Sequence, residues 1–229
     1  MKQLTLLFAL CTGFLCTAHA QTTTALTGED TWKDIKLGAM FMPGLSSDAG
    51  SVANGTKTNA INFSWALGAL ADFPFSPSAG LQFGLCYDNR SLEFHDQKTA
   101  DTSIAYTFSY FSLRPEFRIG DFLVGLGIGI PVGASTSPST AATNLNKLQS
   151  FGSSNMNLLI EGRVGAAVPI VQAANGNELR FLINASYAFS QVVSSPLYPS
   201  DGSTNKTENS GPLGTLQLGF AYLFDLNPK

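Results

Sequence analysis

Three short stretches carry charge at strand spacing. Arg114, Glu116 and Arg118 stand two apart, as do Glu161 and Arg163, and again Glu178 and Arg180. Residues i and i+2 of an extended chain share a face, so each set puts its ions on one side of a strand. Enclosed charges must pair and hydrogen-bond, because an isolated buried ion is costly. Two chemistries are open to such a set: a polar plug that fills an interior, or the lining of a narrow pore for small ions. A second group is Ser91, Glu93, His95 and Asp96. Hydroxyl, imidazole and acid are the residue types of a lipid-modifying hydrolase, but spacing alone neither brings a serine to the imidazole nor supplies oxyanion donors. An exposed loop histidine is the competing reading. No metal-ligand spacing and no phosphate-cradling glycine loop occurs, so no cofactor is expected and no catalytic residue is assigned.

The elements that hold these residues are legible from alternation. INFSWALGALADF, 61 to 73, puts Ile61, Phe63, Trp65 and Leu67 on one face and Asn62, Ser64, Ala66 and Gly68 on the other. This period of two is that of a strand. The same template predicts eight strands: 35–43, 61–73, 79–90, about 105–119, 122–132, about 156–170, 178–190 and about 214–225. Greasy faces carry Phe83, Phe117, Phe181, Phe220, Tyr222 and Phe224, while the opposite faces carry the charges above and many glycines. In the fourth strand the alternation changes phase near Tyr110 and Phe111, which predicts a β-bulge there. The strands are longer than the mode of about 5 to 6 residues in globular proteins and reach the ~9–11 residues that cross a tilted bilayer.

The connections alternate in length. PFSPS, Gly120-Asp121 and VQAANGN are short, whereas the other four joins, among them SLEFHDQKTADTS between strands three and four, are long and polar. Segregation of loop length by strand parity is the rule of up-and-down outer-membrane barrels. An eight-stranded barrel has an interior just wide enough for its own side chains, so charges with glycines fit inside and the aromatics belong in lipid. A soluble lipocalin-like barrel, the rival, would turn the aromatics inward and need a charged exterior. Composition agrees with the membrane reading: 17 Phe, 22 Gly, 13% charged residues and a mean hydropathy of +0.11, without any apolar run of about 18 residues after the leader. A net charge of −3 gives no reason to expect a nucleic-acid partner.

The chain opens MKQLTLLFALCTGFLCTAHA, with a basic start, an apolar run and a small-residue Ala18-His19-Ala20 end, the form of a secretory signal peptide. Cleavage after Ala20 is expected, since the residues before Cys11 and Cys16 make a poor lipobox. Residues 1–20 are then the leader, 21–34 a periplasmic N-terminal segment and 35–229 the barrel. Cys86 alone would remain in the mature chain, which excludes a disulfide framework.

With the strands placed, IKLGAMFMPG, DFPFSPSAGLQFGLCY, YFSLRPEFRIGDFLVGLGIGIPVG and GTLQLGFAYLF resemble the small PorT-like outer-membrane barrels of Bacteroidota. The resemblance implies an eight-stranded barrel in a Gram-negative outer membrane and a secretion-accessory role, and it brings no catalytic residues. Expected partners are outer-membrane lipid, the barrel-assembly machinery, and an extracellular or periplasmic protein met through the long loops, where Leu197-Tyr198-Pro199 is the notable apolar spot. A structural or interaction role is expected, with a narrow channel, a lipid hydrolase and a soluble binding barrel as alternatives.

Overall fold

The computed structural model describes residues 35–48, 56–58, 61–76, 78–96, 103–138, 152–193 and 212–226. The expected leader, the 21–34 segment and the Tyr198 region lie outside the described residues. The strands are β1 (Lys36–Asp48), β2 (Thr56–Thr58), β3 (Asn62–Ser76), β4 (Ala79–Asp96), β5 (Ser103–Ile119), β6 (Phe122–Pro138), β7 (Leu159–Gln172), β8 (Glu178–Ala188) and β9 (Leu213–Asp225). They pair in the order β2-β4-β3-β1-β9-β8-β7-β6-β5, and β4 also pairs with β5. That last pairing closes eight antiparallel strands into a ring. The short β2 adds to the end of β4 outside it, with Lys57 opposite His95.

The three short turns lie at one rim. Gly120 has a φ of +59°, and no non-glycine residue among those described has positive φ. A left-handed first turn position is what a two-residue type II′ hairpin requires, and Gly120-Asp121 sits between the paired Ile119 and Phe122. Prolines fall where the ladder can spare a donor. The β5–β6 register skips Pro115, and Pro169 stands at a register shift between β7 and β8.

On the outer face, Phe41, Leu67, Leu113, Leu126 and Phe220 are all about half exposed. The belt is edged by aromatic contacts: Trp65 against Tyr87 at 5.6 Å on one side, Phe73 against Phe83 at 5.8 Å on the other. From Phe63 to Phe73 is roughly ten residues, ~33 Å along a strand and ~25 Å along the normal at a tilt of ~40°, the height of an outer-membrane belt. The closed ring of paired strands meets the demand that backbone polar groups be bonded within the wall in hydrocarbon. This is a transmembrane barrel. A soluble barrel with these residues would expose Phe, Leu and Ile all round to water.

Above the belt one side of the wall continues. β4, β5 and β6 run on to Asp96, Ser103 and Pro138, forming a crest, so the join between strands three and four shrinks from the thirteen residues quoted above to positions 97–102. The crest's inner face carries Leu92, Ile104, Tyr106, Phe108 and Tyr110, all buried with Met156, Leu159, Val192, Val193 and Leu213 in one apolar cluster. Its outer face carries Asn89, Ser91, Thr107 and Ser109, with Asn89 Nδ2 donating to Ser109 Oγ at 3.2 Å and the Ser91 and Thr107 hydroxyls 3.3 Å apart.

The expected phase change at Tyr110 takes a different form. Buried residues on β5 keep one parity from Ile104 through Arg118, and Ser109 is buried as well. The register shift lies opposite, on β6, where Ser109 pairs with Gly133 and Tyr110 with Pro131, leaving Val132 as the extra residue.

Candidate functional site

The interior charges divide into two networks separated by an apolar layer. Along β8 the inward residues read Glu178, Arg180, Leu182, Asn184, Ser186 and Ala188, all buried. Along β7 they read Ala167, Arg163, Glu161 and Leu159 from the turn rim upward. The order is rim charges, apolar layer, central charges, apolar cluster. The lower apolar layer gathers Met40, Met42, Leu70, Cys86, Leu123 and Leu182.

The central network is built by β4, β5 and β7, with amides from β8 and β9. Arg90 grips Glu161 with both terminal guanidinium nitrogens, Nη1 to Oε2 at 2.7 Å and Nη2 to Oε1 at 3.1 Å. Arg163 bridges two acids, donating Nε to Glu116 Oε1 at 2.9 Å and Nη1 to Glu161 Oε1 at 2.5 Å. Arg114 pairs with Asp88 and donates weakly to Gln217 Oε1 at 3.4 Å. Asn184 Nδ2 and Gln82 Nε2 donate to the two oxygens of Glu116, at 2.9 and 3.4 Å. Arg90, Arg114 and Arg163 thus balance Asp88, Glu116 and Glu161 in formal charge. Bidentate Arg–carboxylate geometry and added amide donors are what offset the desolvation of buried ions.

Room for these side chains comes from β6. Gly125 faces Glu116 and Arg163, and Gly127 faces Glu161. A Cβ at 127 would lie 2.6 Å from Glu161 Oε1, and one at 125 would lie 2.9 Å from Glu116 Cγ. The run of alternate glycines in the sequence is the space the ions occupy.

The rim network uses β1, β3, β5 and β8. Lys36 Nζ donates to Glu178 Oε2 at 2.7 Å, and Arg180 donates to both Glu178 oxygens at 2.8 and 3.1 Å. Arg180 Nη1 lies 2.6 Å from Asp72, and Arg118 Nε lies 3.4 Å from the same carboxylate. All seven charges singled out in the sequence, Arg114, Glu116, Arg118, Glu161, Arg163, Glu178 and Arg180, are buried inside the ring. Two groups of the seven meet directly, Glu116 and Glu161 through Arg163 in the centre and Glu178 with Arg180 at the rim. Arg114 takes its acid from β4, and Arg118, Glu178 and Arg180 belong to the rim.

Asp88 and Arg90 complete the centre, and Asp72 and Lys36 complete the rim, yet none of these four stood among the charges singled out. Each has the inward parity of its strand, so alternation carried the signal. The outer-face set Phe63, Trp65, Leu67, Phe83, Phe117, Phe181, Phe220, Tyr222 and Phe224 lies on the exterior, with Trp65, Phe83 and Phe181 half-buried against neighbouring rings such as Phe220, 5.4 Å from Phe181. His95 falls within β4, paired with Ser103, rather than in a loop. Ser91 shares its hydroxyl with Thr107. Among the described residues no group of His, Cys, Asp and Glu has the arrangement of a metal site.

Between Met40, Leu70, Gln82, Arg114, Glu116 and Asn184 lies a cavity of about 10 Å³, room for about one water.

No known protein family matches the sequence, and no curated protein does. Among solved structures the fold is similar to Ail, the attachment invasion locus protein of Yersinia pestis, determined with the heparin analogue sucrose octasulfate. That match has 16% identity and a TM-score of 0.39, covering 83% of this chain and 99% of that one. OprG of Pseudomonas aeruginosa gives 13% identity and a TM-score of 0.43 over 85% of this chain and 97% of that one. The outer membrane protein AlkL gives 12% and 0.36 over 92% and 99%.

Proposed function

We propose that this outer-membrane barrel is a closed, non-catalytic interaction protein that holds an ordered crest above the bilayer for a partner to bind. The sealed interior carries the reading. Two apolar layers enclose a charge-balanced centre, and the rim ions bond to one another. Every wall strand is spent on a rigid support, while the crest rises beyond the aromatic belt. By the up-and-down rule the turn rim faces the periplasm and the crest faces outward. The exterior binds outer-membrane lipid, and β9, with Gly219, Tyr222 and Phe224, offers the assembly machinery a C-terminal strand.

The narrower reading, a secretion-accessory role, rests on the PorT-like stretches and would appear as a specific periplasmic or outer-membrane protein crosslinked to the barrel in the native membrane. Single-protein conductance in a planar bilayer tests the closed lumen. The expected trace equals that of the protein-free bilayer. Steady conductance that changes in Glu116→Gln or Arg163→Gln would replace this reading with a small-ion channel, and phospholipid hydrolysis lost in His95→Ala would replace it with an enzyme.

A further inference from the structure

Among the described residues, the wall of the crest is open on one side. β6 pairs with β7 only from Phe122–Ala166 to Gly129–Leu159, whereas its pairing with β5 continues to Ile104–Pro138. From Ile130 to Pro138, no strand among the described residues pairs with the second side of β6. At this height the start of β7 turns instead to the segment after β8. Phe189 N donates to Ile160 O at 2.7 Å and Asn157 N to Val192 O at 2.9 Å, and Met156 bridges Val193.

Proline fixes which backbone groups are free. In an antiparallel strand the N–H and C=O of one residue point to the same side, and successive residues alternate. Pro138 has no N–H to give β5, so its position turns to the open side, and alternation turns Thr136 and Ala134 the same way. Ser135 and Ser137 then bond to β5, opposite Thr107 and Ala105. Pro131, Pro138 and the bulge at Val132 frame the stretch. Such devices keep an open edge from indiscriminate pairing while leaving a short window.

We propose that this window, centred on Ala134 and Thr136, docks an extended peptide segment of a partner protein, which joins the crest as an added strand. The inference rests on the interaction reading above and names its contact. A second copy of the chain does not fit. Barrels side by side in one membrane tilt their strands by ~40° in opposite senses at the contact, so the edges would cross at ~80°. Lipid has no backbone to pair. The peptide's inward side chains would extend the apolar cluster against which Ala134 packs, and its outward ones would stand in water beside the exposed Ser135 and Ser137. The segment recognised is therefore short, free of proline, and alternates apolar with polar residues.

The test uses the full-length protein in lipid nanodiscs, amide hydrogen exchange, and an acetylated heptapeptide of alternating valine and threonine with its N-methylated form as control. Unpaired Ala134 and Thr136 amides should exchange at least about tenfold faster than those of Ser135 and Ser137, and the peptide should slow them. Thr136→Pro removes an N–H that β5 does not use, so it should weaken the peptide by about tenfold, while Thr136→Ser should not. Slow exchange at Thr136 without peptide would overturn the proposal, because the edge would already be occupied. Absence of binding, equal binding of the N-methylated peptide, or unchanged binding to Thr136→Pro would overturn it too. The heat-dependent gel shift of each variant reports the closed barrel separately, so a failure at the edge is distinct from a failure of the membrane reading.

Discussion

The two halves of β5 place opposite chemistry on the same two faces. From Phe111 to Ile119 the outer face is Phe111, Leu113, Pro115, Phe117 and Ile119, and the inner face is Ser112, Arg114, Glu116 and Arg118. From Ser103 to Tyr110 the outer face is Ser103, Ala105, Thr107 and Ser109, and the inner face is Ile104, Tyr106, Phe108 and Tyr110. The backbone does not change phase between them. What changes is the surroundings: hydrocarbon outside the lower half, water outside the upper. A strand leaving the bilayer must exchange the polarity of its faces, and the exchange looks like a register slip when only the letters are read.

The comparison breaks most severely at the lower half's buried ions. Glu161→Leu leaves Arg90 and Arg163 without their shared carboxylate, and removing one partner of a buried pair costs about 3–5 kcal/mol. The heat-modifiable gel band should be lost at clearly lower urea. Adding Arg90→Met should recover part of the loss, since apolar replacement of a whole pair is far less costly. In the upper half the corresponding change is Phe108→Ala. Truncating a buried Phe costs about 3–5 kcal/mol where the site is cooperative with the fold, but here the loss should fall on the crest. Amide protection at 104–110 and 192–193 should drop while the gel shift persists.

One substitution made on both halves of one face sharpens the contrast. Leu113→Arg puts a charge into the belt and should cost about 2–4 kcal/mol if near the midplane, read as a lower urea midpoint in lipid. Thr107→Arg, on the same face six positions away, should lie within about 0.5 kcal/mol of the parent. Equal effects at 113 and 107 would mean that the bilayer boundary does not fall at Tyr110. Smallest of all is Ser91→Ala, which removes one surface hydroxyl contact and should leave the urea midpoint within about 0.5 kcal/mol.

Much of this was written in alternation. The outward belt, the inward parity of the charges, the glycines of β6 and the short turns follow from letters spaced two apart, because side-chain direction in a strand is a local property. Partner choice was less legible. Arg114, Glu116 and Arg118 sit together in sequence, yet their acids and bases come from β4, β7 and β3, since strands that wrap a ring bring distant residues to one height. The crest was missed for a different reason: Leu92 and Ile104 fall outside strands bounded at 90 and 105, and the exchange of face polarity at Tyr110 reads as a bulge in the letters alone.

Alternation alone dictated a barrel of strands with a greasy outside and an ionic inside, because period two and loop length are encoded residue by residue. Closure of the ring settled where the bilayer stops, which ions pair and where, among the described residues, the wall opens beside β6. Those depend on shear and on the height each strand reaches, and they exist only once the ring has closed.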